Sequence, residues 1–443
     1  MKKTIKFLSV LLAAVMLFSV TACKKDVVTD GSSNEAQDYA SLLKLDMTSD
    51  TVKEVVTVKT FIDGDTTHFY VPESVMEGGV LKARYLAINT PESTGKIEEY
   101  GKVAANFTRE KLSSAVSIII ESDDGKWNAD STGDRYLAWV WYQPAVGEDY
   151  RNLNIEILQN GLAIASNAAG NRYGETAVAA INQAKEQKLG VHSGQKDPDF
   201  YYGEAVELTL KELRCNIADY NGMKVAFSGV ITMNDGGSVY IEDYDSETGL
   251  YYGISIYYGY GLSGEGLNIL SVGNESRIVG TVQYYEAGGT YQVSGLTYRQ
   301  MKPNDPSNIQ KISDGHSPAY VLTDADTFVN GKVDIVGEEE ARTYDYAALV
   351  MNTSVKMENL KVVDIYTTTA EDSSSKGAMT LTCEAPDGAA VTVRTAVLRD
   401  GAGELITDEY YSGQTIDVRG IVDYFDGEYQ IKVFTANDIT IIK

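Results

Sequence analysis

Four short segments of the chain carry carboxylate, amide and guanidinium groups that could act together on one charged substrate. Carboxylates, amide oxygens and backbone carbonyls bind hard cations such as Ca²⁺, and a carboxylate can position or deprotonate a water molecule. Two guanidinium groups can hold phosphate oxygens with paired donors while negative charge builds. These are the groups that hydrolysis of a phosphodiester requires. The segments are residues 61–67, 83–92, 99–108 and 134–140.

The residue types in these segments suggest a role for each candidate. A strand predicted over residues 80–88 and the turn after it hold four candidates, which can therefore converge on one rim with the turn at residues 63–65. The candidates are Asp65, Asn89 and the carbonyl of Thr90 for the cation, Glu92 for the water, and Arg84 and Arg135 for the phosphate.

Each segment taken alone also has a purely structural interpretation. Asp-Gly-Asp at residues 63–65 is a hairpin turn signal more often than a metal site. Thr-Pro-Glu at residues 90–92 can be the start of a helix. Isolated arginines are usually solvated or form weak ion pairs. The combination of all the segments in this order is what favours a catalytic site.

In combination, the segments resemble the staphylococcal-nuclease-like (thermonuclease) family. The shared motifs are Ile-Asp-Gly-Asp-Thr at 62–66, Arg-x-x-x-x-Asn-Thr-Pro-Glu at 84–92, Tyr-Gly-x-x-Ala-x-x-Phe-Thr at 100–108 and Arg-x-Leu-Ala-Trp at 135–139. The resemblance covers about residues 54–193 and implies an OB-type barrel with three helices. It also implies that Arg84, Glu92 and Arg135 are catalytic and that Asp65, Asn89 and Thr90 are calcium ligands.

The chain departs from the family pattern at two places. The family often has Asp where this chain has Asn89, and an amide keeps the ligating oxygen but removes one negative charge, which should weaken calcium binding. Tyrosines that surround the nucleotide base in the family are absent, with Asn167 and Ala169 in their places. The resemblance therefore supports the phosphate and metal groups more than a base preference.

Length and composition predict several mainly β domains. A chain of 443 residues suggests about two to four domains, and 40 glycines and 30 tyrosines against 8 prolines favour many short strands and turns. Residues 276–293 and 415–431 echo each other as strand, Gly, strand, acidic turn and strand, a unit that suits tandem OB-type barrels. The predicted organisation is a signal peptide with its lipobox cysteine (1–23), a flexible tether (24–53), a thermonuclease-like domain (54–194), an OB-type β domain (205–302) and a second OB-type β domain (318–443).

The N-terminus has the pattern of a bacterial lipoprotein signal. Lysines at positions 2, 3 and 6 precede an apolar run over residues 7–20, which is followed by Thr21, Ala22 and Cys23. Val-Thr-Ala-Cys resembles a lipobox, whose cysteine becomes the lipidated first residue of the mature protein. A plain signal peptide cut nearby is the alternative. We therefore expect a secreted protein on the extracellular face of the cell membrane, held there by a lipid on Cys23.

Charge and the scarcity of Cys and His exclude several classes of site. Cys215 and Cys383 form no CxxC pair, and the three histidines are scattered, so neither a zinc site nor a His-dependent triad is expected. The formal net charge is −25, whereas proteins that bind nucleic acid tightly normally carry a basic surface. It permits an enzyme that contacts phosphate through one cation and two arginines.

The sequence therefore predicts a secreted, membrane-anchored, calcium-dependent nuclease, a phosphodiesterase of the endonuclease type acting on DNA and/or RNA, with no obligate protein partner. The first alternative is a catalytically inactive nuclease-like protein that binds nucleic acid or glycan. The second is a structural surface protein whose β domains bind cell wall or glycan. Because every catalytic candidate precedes Gly194, residues 205–443 are expected to be dispensable for turnover.

Overall fold

The computed structural model describes residues 36–259, 262–336, 341–370, 373 and 375–442. The predicted signal peptide, Cys23 and residues 24–35 of the predicted tether lie outside these residues. Strands outnumber helices along the described chain, which confirms the mainly β fold class. No helix among the described residues is long and apolar enough to cross a bilayer.

The first eight strands build the first barrel. They are β1 (Lys53–Asp63), β2 (Thr66–Tyr70), β3 (Val80–Tyr85), β4 (Ile88–Asn89), β5 (Ser117–Glu121), β6 (Tyr136–Gln143), β7 (Arg151–Asn152) and β8 (Ile164–Ala165). β1, β2, β3, β6 and β5 close on one another, with a parallel pair between β3 and β6 and antiparallel pairs elsewhere. Alternate residues of β3 are buried in the core, as the period of a half-buried strand requires.

Four helices accompany this barrel, namely α1 (Tyr39–Leu42), α2 (Gly101–Ser114), α3 (Leu153–Gln159) and α4 (Gly174–Glu186). Ala104 and Leu112 on α2 are buried, as are Ala177 and Ile181 on α4, and these residues share the spacing of one helix face. The predicted helices of the first domain are present, and the OB-type barrel with helices is confirmed.

Two predicted features of the first barrel differ from the structure. The strand expected over 80–88 ends at Tyr85, because Ala87 has a φ of 67°, and β4 pairs instead with β8. The end of the predicted flexible tether is packed: Arg151 forms two hydrogen bonds with Asp38, and Gln159 accepts the Ala40 N–H. These contacts join residues far apart in the chain, so the local sequence does not reveal them.

The second barrel follows. Its strands are β9 (Val206–Glu207), β10 (Lys224–Asn234), β11 (Ser238–Asp245), β12 (Leu250–Tyr257), β13 (Glu275–Tyr285), β14 (Thr290–Ser294) and β15 (Gln310–Ser313), and its helices are α5 (Leu210–Cys215) and α6 (Glu265–Ile269). β15 pairs with β13, so the sheet continues beyond the predicted domain end at residue 302. β10, β11, β12, β14 and β13 close the barrel, with the parallel pair between β12 and β14.

The third barrel repeats this order. Its strands are β16 (Val321–Leu322), β19 (Ser354–Thr367), β20 (Met379–Glu384), β21 (Ala390–Thr395), β22 (Thr415–Phe425), β23 (Glu428–Val433) and β24 (Ile439–Ile442). A separate hairpin comprises β17 (Lys332–Val336) and β18 (Ala341–Asp345). The helices are α7 (Ala325–Asn330), α8 (Tyr346–Leu349) and α9 (Asp408–Tyr411). β19, β20, β21, β23 and β22 close the barrel, again with one parallel pair. The three barrels therefore share one connectivity, as the tandem OB-type prediction requires.

The sequence echo between the two C-terminal barrels has a structural cause. Gly280 and Gly420 occupy equivalent places on β13 and β22. A Cβ at Gly280 would lie 2.7 Å from the Ser294 carbonyl oxygen, and a Cβ at Gly420 would lie 2.4 Å from that of Lys432. Each long strand needs a glycine where the neighbouring strand crosses it closely.

Candidate active site

Asp65 lies in the two-residue turn between β1 and β2 and is buried. Its carboxylate accepts the Thr90 N–H at 2.8 Å and the Thr66 hydroxyl at 3.0 Å. Gly64 allows this close packing, because a Cβ there would lie 2.9 Å from both the Ala104 Cβ and the Thr90 side chain. The Asp-Gly-Asp segment is thus a hairpin turn, and that turn also holds a carboxylate in a fixed orientation.

Arg84 on β3 lies opposite Thr66 on β2 and reaches two of the predicted calcium ligands. Its Nη1 forms an ion pair with Asp65, and its Nη2 donates to the Asn89 Oδ1 at 2.6 Å. Burial and the nearby positive charge of Arg135 lower the pKa of Arg84. The Asp65 and Asn89 oxygens therefore converge on one cationic group.

This convergence bears on whether the predicted ligands suit a calcium ion. Carboxylate, amide and carbonyl oxygens are the ligands that Ca²⁺ prefers. Two of these oxygens, from Asp65 and Asn89, already contact the Arg84 guanidinium. The Thr90 hydroxyl beside them is buried without a hydrogen-bond partner. No group of three or more His, Cys, Asp or Glu suited to a metal occurs among the described residues. Of the three candidate ligands, only Asp65 carries a charge. The donor types fit a hard cation bound weakly.

Glu92 lies in the irregular segment that follows β4 and is exposed on one side. Partial burial of its carboxyl, a hydrogen bond with Asp63 and the negative charge of Asp63 raise the pKa of Glu92 to about 7. The positive charge of Arg84 opposes this shift. A carboxyl with a pKa near neutrality can exchange a proton with water at the pH where such a reaction would run.

Asp63 was not among the sequence candidates, and the structure adds it to the site. It is buried, and its Oδ1 accepts the Gly64 N–H at 2.8 Å, the Ser93 hydroxyl at 2.8 Å and the Ser93 N–H at 3.2 Å. It thereby joins the β1–β2 turn to the residue after Glu92. The first Asp of Asp-Gly-Asp was the available sequence signal.

Arg135 immediately precedes β6. This strand runs parallel to β3, and Tyr136 pairs with Ala83. Its guanidinium contacts the Asp130 carboxylate through Nε at 2.8 Å and Nη2 at 2.7 Å. The register brings Arg135 near enough to Arg84 for its charge to affect the pKa of Arg84. Arg135 therefore lies at the same rim, held by a loop carboxylate.

The predicted residues thus fall into a connected core and two neighbours. The core consists of Asp65, Arg84, Asn89 and Thr90, which are linked by hydrogen bonds and an ion pair. Glu92 is connected to this core through its contact with Asp63. Arg135 lies immediately before β6, the strand beside β3.

Comparison with known proteins adds one finding. Residues 82–193 match the family model described as staphylococcal nuclease homologue. The match contains Arg84, Asn89, Thr90, Glu92 and Arg135, while the turn that carries Asp63 and Asp65 immediately precedes it in the same barrel. A search of curated proteins finds no match for the chain.

Proposed function

With residues 82–193 identified as a staphylococcal nuclease homologue domain, we propose that the chain is a calcium-dependent phosphodiesterase that cuts DNA, RNA or both as an endonuclease. One observation carries this proposal. A guanidinium, a carboxylate and an amide oxygen converge at the barrel rim beside a carboxyl whose pKa lies near 7. Phosphodiester hydrolysis uses these groups together.

Each side chain has a distinct role in the proposed reaction. Deprotonated Glu92 accepts a proton from the attacking water and orients it toward phosphorus. Arg84 and Arg135 donate hydrogen bonds to the phosphate oxygens, and these bonds strengthen as charge builds in the transition state. Asp65, Asn89 and the Thr90 carbonyl would hold calcium, which supplies positive charge to the phosphate when bound.

The contact of Arg84 with Asp65 and Asn89 also supports the alternative function. The same contacts suit a structural ion pair in a catalytically inactive barrel that only binds nucleic acid or glycan. Turnover by the purified protein separates the two readings.

The first test incubates purified residues 24–443 with single-stranded and double-stranded DNA and RNA, in calcium or in excess chelator. We expect cleavage with calcium, loss of cleavage with chelator and loss in the Arg84→Ala variant. Undiminished cleavage in chelator would remove the metal from the proposal. Absence of cleavage on all four substrates, with binding retained, would favour the inactive module.

We also propose that the mature protein is secreted and anchored by a lipid on Cys23. The basic, apolar and Val-Thr-Ala-Cys pattern of residues 2–23 supports this. Metabolic labelling with a fatty acid analogue should mark the wild-type protein and leave Cys23→Ala unlabelled. Equal labelling of both would overturn the anchor.

A further inference from the structure

The residues between β4 and α2, here called the Glu92 loop (residues 91–100), connect the candidate base to the second barrel. Glu98 closes the loop on itself, because its N–H donates to the Glu92 carbonyl at 2.8 Å. The Ser93 side chain and N–H both bind Asp63, which contacts the Glu92 carboxyl. The position of the loop backbone therefore determines how Glu92 meets Asp63.

Two buried side chains of the second barrel reach across to this loop. Ser294 on β14 donates its hydroxyl to the Gly95 carbonyl at 2.8 Å, and Gln283 on β13 donates its Nε2 to the Ser93 carbonyl at 3.4 Å. The single proton of the Ser294 hydroxyl is shared between the Gly95 carbonyl and the Gln283 Oε1, so this group joins the loop to both side chains. Both side chains are buried, which makes these bonds stronger than their exposed equivalents.

The loop and the adjoining helix also pack directly against the second barrel. A Cβ at Gly295 would lie 3.2 Å from the Gly95 carbonyl oxygen. On the adjoining helix α2, Arg109 forms an ion pair of 2.7 Å with Glu286 of the second barrel. The two barrels thus meet over the Glu92 loop and over the helix that follows it.

A third contact fixes the other end of the loop. The buried Asp197 accepts the N–H of Tyr100, at 2.8 Å, just before α2 begins. Its own N–H donates to the Glu99 carboxylate at 3.0 Å. The loop is therefore held by Asp63 near its start, by the second barrel along its middle and by Asp197 at its end.

We propose that Gln283 and Ser294 of the second barrel are positioning residues for the Glu92 active-site loop. The second barrel is then a part of the enzyme, and the expectation that residues 205–443 are dispensable for turnover no longer follows. This inference rests on the proposed function for its kinetic consequence, while the anchoring of the loop can be measured without any activity.

The test compares Ser294→Ala with Ser276→Ala in the full mature chain. Ser276 lies on β13, is equally buried and donates to the Ile269 carbonyl at 2.8 Å within the second barrel, so its loss costs a similar bond without touching the loop. Gln283→Met is the second variant, since it keeps the length of the buried side chain and removes the amide donor. Hydrogen–deuterium exchange of residues 93–100 is measured alongside kcat and KM.

We expect Ser294→Ala and Gln283→Met to raise exchange in the loop and to lower kcat on the order of 2- to 10-fold, the equivalent of one hydrogen bond. KM should change less than kcat. Ser276→Ala should change neither loop exchange nor kcat.

Unchanged loop exchange in both variants overturns the proposal. So does raised exchange with unchanged kcat, or a kcat loss in Ser276→Ala as large as that in Ser294→Ala. If the wild-type protein cleaves nothing, the proposed function fails, and loop exchange alone then decides whether the second barrel anchors the loop.

Discussion

At the scale of single residues, the most informative feature is the contact between the carboxyls of Glu92 and Asp63. Burial of the Glu92 carboxyl, together with this contact, raises the pKa of Glu92 from an ordinary value of 4.5 to about 7. Because the folded pKa is raised, the neutral form of Glu92 contributes stability that is present below about pH 4.5 and is lost as the pH rises through about 7. Catalysis needs the opposite form, so activity and stability should respond to pH in opposite directions.

Glu92→Gln should separate chemistry from folding. Glutamine copies the neutral carboxyl but accepts no proton, so kcat should fall on the order of 10²- to 10⁴-fold. The thermal midpoint at pH 8, measured in chelator, should equal or exceed that of the wild type. Glu110→Gln, an exposed glutamate on α2, serves as the control and should change neither quantity. Unaltered turnover with a lowered midpoint would make Glu92 a structural residue.

Asp63→Asn should shift the pH dependence of kcat. The substitution removes the negative charge beside Glu92 and keeps an oxygen for the Ser93 contacts, so the pKa of Glu92 should fall. The acid limb of the kcat profile should then move below pH 7. Asp149→Asn, at an exposed ion pair with Lys44, is the matched control. An acid limb that stays in place would show that another group controls it.

The sequence predicted the connected residues better than their neighbours. Asp65 immediately precedes β2, and Arg84, Asn89 and Thr90 lie in one motif that begins on the neighbouring strand β3, so local spacing already constrains their positions. Asp63 was missed because Asp-Gly-Asp fits a plain turn equally well, and burial of its first carboxylate depends on distant packing. The contact of Arg135 with Asp130 was missed because a loop of irregular sequence supplies the carboxylate.

At the scale of elements, the start of α2 controls the Glu92 loop. Tyr100 has a φ of 67°, so the chain turns sharply immediately before the helix. Gly101, the first residue of α2, is buried, and a Cβ there would lie 2.0 Å from the Glu92 carbonyl oxygen. The loop and the helix can approach this closely only with glycine at that position.

Gly101→Ala should therefore displace Glu92 without touching any catalytic candidate. We expect kcat to fall about 10-fold or more and the free energy of unfolding to fall by about 1–3 kcal/mol, as overpacking does. Gly170→Ala is the control, because its Cβ would meet no atom within 4 Å and its φ is not positive. Equal kcat in the two variants, measured at saturating substrate, would show that the loop tolerates the shift.

The sequence predicted which segments form strands and helices more reliably than it predicted where those elements end. Runs of β-branched and aromatic residues predicted the strands of the first barrel, since such residues suit a half-buried pleated surface. The end of β3 was misplaced because nothing in Leu86 or Ala87 signals a positive φ. The packing of residues 38–42 was missed because its partners, Arg151 and Gln159, lie over a hundred residues away.

At the scale of the whole molecule, buried polar side chains join the second barrel to the third. Glu242 accepts the N–H groups of Ala319 and Ser354 and the Ser354 hydroxyl. Arg214 is buried and donates to the carbonyls of Gly253 and Met351. The sequence echo predicted two similar barrels, but it contained no signal for these contacts, because each barrel alone satisfies the strand pattern.

Arg214→Met tests this junction. Burial lowers the pKa of Arg214 to about 10, so the arginine is retained at a cost that its hydrogen bonds must offset. Methionine fills similar space but removes the guanidinium from the Gly253 and Met351 carbonyl oxygens and one of two donors from the Asn352 Oδ1. We expect a loss of about 2–4 kcal/mol from the barrels that meet there.

The positions of the three tryptophans allow unfolding of the first barrel to be followed separately from unfolding of the whole chain. Trp127, Trp139 and Trp141 are the only tryptophans of the chain and all precede residue 194, so tryptophan fluorescence reports on the first barrel while far-ultraviolet circular dichroism reports on all three barrels.

In denaturant titrations of Arg214→Met, the dichroism transition should move to lower denaturant and the fluorescence transition should move much less. Arg399→Met, an exposed arginine that also donates to a glycine carbonyl, should move neither. A dichroism transition that stays with the wild type would mean that Arg214 does not hold the barrels together. Equal shifts of both signals would instead contradict independent unfolding of the first barrel, and would extend the coupling between barrels to the domain that carries the candidate active site.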